Sequence, residues 1–272
     1  MRYRFNALMT ILGISKKGIY IPYRYSEKIR SIEYVEIESI FEKFVPLFLK
    51  HLELIDSLYE NLSNIEKNIG LSARWNQDWF PRSDAASTYA MVVRASPKKI
   101  IEIGSGHSTR FMIKAIIDHN LQSKIECIDP EPRASFGSFP FVRHINSALD
   151  AENIENLSLQ SGDILFVDSS HILMPGSDVD IIINKILPKL PKGVFVHFHD
   201  IFLPDGYPKI WEWRSYNEQL AIAQTIQNDS WSIEWSSHYF VSRMKSYIKK
   251  SVLDKIVLVP DALESSLWLR KK

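Results

Sequence analysis

Three groups of residues in this 272-residue chain have types and spacings suited to chemistry. The first is Glu102-Ile-Gly-Ser-Gly-His-Ser-Thr109, where an apolar run ends in a carboxylate, two glycines follow, and a hydroxyl pair opens a helical pattern. Such a strand–turn–helix unit can hold a nucleotide-like ligand against backbone N–H groups at a helix N-terminus. The second is Asp129 in Cys127-Ile-Asp-Pro-Glu-Pro-Arg133, a carboxylate able to accept hydrogen bonds from both hydroxyls of a ribose. The third is split between Asp168-Ser-Ser-His171 and His199-Asp200, each pair following an apolar run.

The third group admits three uses. A histidine can act as a general base near neutral pH. Asp168 and Asp200 with a histidine can hold a divalent cation that acidifies a hydroxyl. Alternatively, the strand-end carboxylates cap helices and the histidines bond to them. His197, which alternates with His199, reads as core, and Cys127 as a buried strand residue.

The elements that must position these residues follow from the apolar pattern. Short continuous runs at 100–103, 124–128, 141–145, 164–167 and 194–198 read as strands covered on both faces. Helical patterns lie at 85–95, 107–119, 179–187 and 216–227. The alternation predicts an α/β, Rossmann-like doubly wound parallel sheet, with Asp129, Asp168, His171, His199 and Asp200 beyond the carboxyl ends of its strands. Residues 231–235 and 238–241 read as further strands. The aromatic segments Trp75–Phe80 and Phe202–Trp213 are candidates for a lid and for a ring-stacking loop. A stripe of apolar residues from Ile37 to Leu62 predicts one or two N-terminal helices, with Pro46 as a start or kink, packed in the core or against a second copy. The organisation expected is an N-terminal helical extension over 1–73 and a catalytic domain over 74–272.

Composition narrows the function. The chain is 45% apolar and 24% charged with net charge +1, which gives no broad basic surface for nucleic acid. The stretch Phe5–Ile14 is too short to span a bilayer, and Lys16-Lys17 stands where a signal-peptide cleavage site is expected. With Cys127 the single cysteine, the expectation is a cytoplasmic protein without an integral membrane segment.

The motifs Glu102-Ile-Gly-Ser-Gly-His-Ser-Thr-Arg110, Ile128-Asp-Pro-Glu-Pro-Arg133, Gly162–His171 and Val196-His-Phe-His-Asp-Ile-Phe-Leu-Pro204 resemble a family of bacterial class I S-adenosylmethionine (SAM)-dependent methyltransferases. The likeness extends over roughly residues 74 to 270. It implies a seven-stranded sheet whose last strand, near Ser265–Arg270, is antiparallel, with a helical cap at the N-terminus. It also implies a SAM loop at Glu102, Gly104, Ser105, Gly106 and Ser108, a ribose contact at Asp129, and Asp168 beside the donor. His171, His199 and Asp200, read from their own types and places at the strand ends, are the catalytic candidates. Asp168 and Asp200 fall where metal-dependent relatives keep ligands for Mg²⁺ or another divalent cation, although His199 departs from their pattern.

The expected function is methylation of a hydroxyl on a small molecule or glycan. Two alternatives stand beside it. One is a non-catalytic SAM-binding scaffold, for which the N-terminal helices would serve assembly, possible also as a homodimer. The other is an NAD(P)-dependent oxidoreductase. Thr109 opposes the latter, because a dinucleotide fingerprint places a third glycine there.

Overall fold

A computed structural model describes residues 2–15, 18, 23–65, 72–150, 154 and 157–272. Lys16 and Lys17 lie outside the described residues. The chain divides into two units, Met1–Ile32 and Glu33–Lys272. The first holds helix α1 (Arg2–Ile11) and a 3₁₀ turn at Ser26–Lys28. The boundary expected between 73 and 74 falls inside the second unit.

That unit begins with α2 (Val35–Ser57), which runs uninterrupted through Pro46, and the short α3 (Tyr59–Ser63). α2 buries Ile37, Phe41, Phe48, Leu52 and Ile55 at helical spacing. It lies against the sheet and against α4 (Arg82–Ala95), so core packing accounts for the stripe. Then come β1 (Lys99–Ile103), α5 (His107–Asp118), β2 (Lys124–Ile128), β3 (Val142–Ile145) and β4 (Ile164–Val167). The helical segment after β4 starts as α6 (Asp178–Ile181), widens into a π turn over Ile182–Ile186 and tightens to 3₁₀ at Leu187–Lys189. β5 (Phe195–Phe198) follows, then a 3₁₀ segment at Lys209–Arg214, α7 (Glu218–Ile226) and β6 (Trp231–Ser236). The chain ends through α8 (Ser237–Arg243), α9 (Lys245–Ile248) and β7 (Leu267–Lys271).

The seven strands form one sheet in the order β3-β2-β1-β4-β5-β7-β6. β1 to β5 are mutually parallel, and β7 is antiparallel to both β5 and β6. The expected antiparallel last strand is therefore present. The order reverses between β1 and β4, where the chain crosses first to one side and later to the other. In an open α/β sheet that reversal leaves a crevice beyond the carboxyl ends of the strands. β1, β4 and β5 are almost wholly buried and apolar, as strands covered on both faces require.

Residues 238–241, expected as a strand, lie in α8. The Ser236 hydroxyl caps this helix by accepting from the Tyr239 amide at 3.2 Å. Four residues of mixed aromatic and apolar character carry no period that separates a strand from a helix turn. Among the described residues no helix is long and apolar enough to cross a membrane.

Candidate active site

The loop after β1 is fixed by contacts within the chain. Gly104 has φ +79°, and a Cβ there would lie 1.8 Å from the Asp168 carbonyl oxygen. Glycine is thus required by the end of β4 pressing on the turn rather than by a ligand. Gly106, at φ +153°, is crowded by Arg133 and Ala134 from the loop after β2.

Glu102 is fully buried at the end of β1. Its carboxylate accepts from the Ser108 and Thr109 hydroxyls at 2.7 Å each and from the Cys127 thiol at 3.2 Å. Thr109 Oγ1 in turn accepts from the Gly106 amide at 2.9 Å. The residue at the third-glycine position therefore closes the turn from inside. Burial pushes Glu102 up to about pKa 7, against the pull of the three groups donating to it. Burial, with Glu102 alongside, also drives the Cys127 thiol far up, which keeps it an inert thiol.

Asp129 holds the neighbouring loop. One carboxylate oxygen accepts from the Ser105 amide at 2.6 Å and the Ser105 hydroxyl at 3.1 Å, and the other accepts from the Glu131 amide at 2.8 Å. Glu131 itself is exposed at the rim. Arg133 lies 4.2 Å from the ring centroid of Trp79, the exposed tryptophan of the Trp75–Phe80 segment. Trp75 and Phe80 are buried in the core, while Asp78, Trp79 and Phe80 line the cavity described below.

Beyond β4 and β5 four groups meet. His171 Nε2 is 3.4 Å from Asp168 Oδ1 and 3.4 Å from Asp200 Oδ2. His199 Nδ1 is 3.4 Å from Asp168 Oδ1 and 3.3 Å from Asp200 Oδ1. The other nitrogen of each ring is held by a buried carboxylate: His171 Nδ1 by Glu218 at 2.9 Å, and His199 Nε2 by Asp84 at 3.1 Å. His171 and Asp200 both adopt left-handed backbone (φ 59° and 57°), a conformation His and Asp tolerate better than most residues. His197 is core, as expected: its ring stacks on Phe166 at 3.8 Å and burial holds its pKa well down.

The electrostatics follow from this arrangement. Burial alone would lower both histidines, but Asp200, Asp168 and Glu218 raise His171 well above its ordinary value. Asp168, Asp200 and Asp84 do the same for His199. Burial would raise Asp168, yet His199 and His171 hold it far below the usual carboxylate range. Burial lifts Glu218 despite its bond to His171. The surrounding carboxylates thus favour the protonated form of both rings.

A cavity of about 600 Å³ joins these parts. Gly104, Ser105, Ser108, Asp129, Asp168, His171, His199 and Asp200 line it, whereas Glu102 and Gly106 do not. Both of these stand behind the wall and shape it. Glu102, expected at the donor's amino end, instead has its carboxylate turned to Ser108, Thr109 and Cys127. Glu131, Arg214 and Tyr216 also line the cavity. Sequence reasoning missed these three together with Asp84 and Glu218. Each is a single polar residue in a loop or in the first or last turn of a helical segment, which locally reads as a cap or a surface group.

Residues 101–201 match the family model of a methyltransferase domain. The match runs from β1 to just past β5 and contains both loops and both histidine–carboxylate pairs. Over those residues the chain is similar to that family. Its sheet order and antiparallel β7 are those that the resemblance in the sequence implies. No curated protein matches the chain.

Solved structures similar to this chain include SAH-bound PaMTH1 from Podospora anserina, SAH being the demethylated product of SAM. It is 17% identical over 94% of this chain and 99% of that one, with TM-score 0.44. The Bacillus cereus O-methyltransferase in complex with SAH is 12% identical over 82% and 91%, with TM-score 0.42. The plantazolicin methyltransferase BpumL in complex with SAH is 16% identical over 86% and 99%, with TM-score 0.43.

Asp168 and Asp200 were the expected metal ligands. Among the described residues no group of three or more His, Cys, Asp or Glu side chains is arranged to hold a metal ion. Each of these two carboxylates faces imidazole nitrogens of His171 and His199 instead. As arranged, Asp168 and Asp200 do not form a site for a divalent cation.

Proposed function

We propose that this methyltransferase methylates a hydroxyl oxygen on a small molecule or glycan unit. The carrying observation is one cavity with a nucleotide-type loop on one wall and a buried histidine–carboxylate centre on the other. Its volume of about 600 Å³ lies within the usual range of small-molecule sites.

The residues fit the donor. The first turn of α5 brings His107 and Ser108 to the cavity, and a helix N-terminus favours the methionine carboxylate. His107 is kept neutral there, pushed down to about pKa 4 by burial, with Arg110 and Arg74 adding to it. Asp129 and Glu131 supply carboxylates for the ribose, and Glu131 is the freer of the two because both Asp129 oxygens already accept from the chain.

The bound donor supplies an electrophilic methyl group on sulfur. On the protein side, His171 accepts the proton of the acceptor hydroxyl at Nε2 when that nitrogen is free. Glu218 fixes the ring through Nδ1 and stabilises the imidazolium that forms, following the orienter–base logic of hydrolytic triads. His199, anchored by Asp84, keeps Asp168 and Asp200 aligned on the opposite side. A carbon–oxygen bond forms as the carbon–sulfur bond breaks, the proton rests on His171, and the thioether product leaves. Holding donor and acceptor in line supplies much of the rate.

Calorimetry tests the donor assignment. SAH should bind the full chain and NAD should not. Transfer of the SAM methyl group to a hydroxyl compound, lost in His171→Ala, would establish turnover. SAH binding with no transfer to any acceptor would favour the scaffold reading, and NAD binding in place of SAH would overturn the proposal.

A further inference from the structure

Among the described residues, the wall of the cavity beside His171 carries a cation without a paired carboxylate. The 3₁₀ segment Lys209–Arg214 ends at Ser215, whose φ of 55° turns the chain back toward the sheet. Trp211, Arg214 and Tyr216 all line the cavity as a result. The Arg214 guanidinium carbon lies 4.1 Å from the Trp211 ring centroid and 5.4 Å from those of Trp213 and Tyr216. Nη1 donates to Tyr216 Oη at 3.1 Å, while Nε is buried without a hydrogen-bond partner.

Among the described residues no carboxylate lies within ion-pair distance of Arg214. Other arginines of the fold contrast with it. Arg82 is paired with Glu264 at 2.9 Å, and Arg243 bridges Glu38 and Asp205. Three rings thus surround a guanidinium that no described carboxylate pairs with. A partly buried charge in that state favours a ligand that completes it.

The position of Arg214 says which ligand. The Tyr216 ring is 4.6 Å from the His171 ring, so Arg214 stands one side chain away from the proposed base. Arg133, the other cavity arginine, lies against Trp79 beside the donor loop. The first turn of α5 already serves the donor's carboxylate. We propose that Arg214 anchors the methyl acceptor, and that the acceptor is an anionic hydroxy compound. Its acid group pairs with the guanidinium, its body lies along Trp211 and Tyr216, and its reacting hydroxyl faces His171. The inference rests on the methyltransferase reading and narrows its substrate class.

Matched probe pairs test it by calorimetry on the full chain, with SAH present and again without it. The pairs are 3,4-dihydroxybenzoate against 3,4-dihydroxybenzamide, glucuronate against glucuronamide, and glucose 6-phosphate against glucose. They separate carboxylate from phosphate recognition. A charge-assisted pair predicts that the anionic member of at least one pair binds about tenfold or more tightly. Arg214→Gln should reduce that preference to within about twofold while leaving SAH affinity unchanged, and Arg214→Lys should retain part of it.

The proposal is overturned if no anionic probe binds at millimolar concentration, if the paired probes bind alike, or if the preference survives in Arg214→Gln. Parallel loss of SAH affinity in that variant would also overturn it, by assigning Arg214 to the donor. Failure of SAH to bind the wild type would count against the donor site alone, because the pairs run without SAH still judge Arg214.

Discussion

His171 sits between opposing demands, and its titration shows how they are met. Three carboxylates raise it well above its ordinary value, outweighing burial. If its free imidazole takes the acceptor proton, kcat should climb with pH through the neutral and alkaline range as that form grows. Glu218→Gln keeps an acceptor near Nδ1 but removes one of the raising charges. The rising limb should then move to lower pH, while the plateau falls about tenfold or more as orientation of the ring is lost. A limb unmoved in this variant would assign the proton to another group, Asp200 being the next in reach.

The ribose contact can be assigned in the same way. Glu131→Ala should weaken SAH binding several-fold with little change in stability, since Glu131 is exposed at the rim. Asp129→Asn should cost stability as well, about 1–3 kcal/mol, because the buried carboxylate holds two loop amides. Titration calorimetry and chemical denaturation of the two variants distinguish a ligand contact from a loop clamp.

β1 and α5 are latched by Glu102, and the latch has a pH signature of its own. Its folded pKa, pushed up to about 7, lies above the unfolded carboxylate value, so the folded state binds the proton more tightly. Its contribution is fully present below the unfolded pKa and is lost as pH rises through about 7, a change on the order of 3 kcal/mol for a fully buried group. Glu102→Gln should remove this slope, so that the variant gains on the wild type between about pH 5 and pH 8 in urea denaturation. Equal slopes would show that Glu102 is ionised throughout.

The motif that announces the cofactor is therefore internal architecture at three of its positions: Glu102, Gly104 and Thr109. Sequence pattern located β1, β2, β4, β5 and the residues at their ends because buried parallel strands leave continuous apolar runs and the cleft lies beyond them. It could not locate Glu218 or Asp84. These lie 47 and 115 positions from the histidines they hold, and no local period records a pairing made by the sheet. α8 was misread for a related reason: its cap comes from Ser236, the last residue of the strand before it.

Across the whole molecule, Asp84 joins parts of the chain that the cavity needs together. From the first turn of α4 its carboxylate accepts from the Ser265 amide at 3.0 Å and the Ser266 amide at 2.8 Å, and it holds His199. Ser265 closes the circuit by donating to Asp200 at 3.2 Å. One buried carboxylate thus ties α4, the approach to β7 and the end of β5. Asp84→Ala leaves two amides and an imidazolium without their acceptor, at a cost of about 3–5 kcal/mol.

The cavity spans the same parts, with lining residues from Asp78 to Leu263. Ligand occupancy should therefore stabilise the unit Glu33–Lys272 as a body and not the β1 loop alone. SAH at one hundred times its Kd adds about 2.7 kcal/mol, which for a unit of this size raises Tm by roughly 5–10 °C. Hydrogen exchange should slow in β6 and β7 as well as in α5, and NAD should do neither. Protection confined to α5 and the loop after β1 would mean that the donor site and the histidine–carboxylate centre open independently. Asp84 would then serve the fold without coupling the two halves of the site.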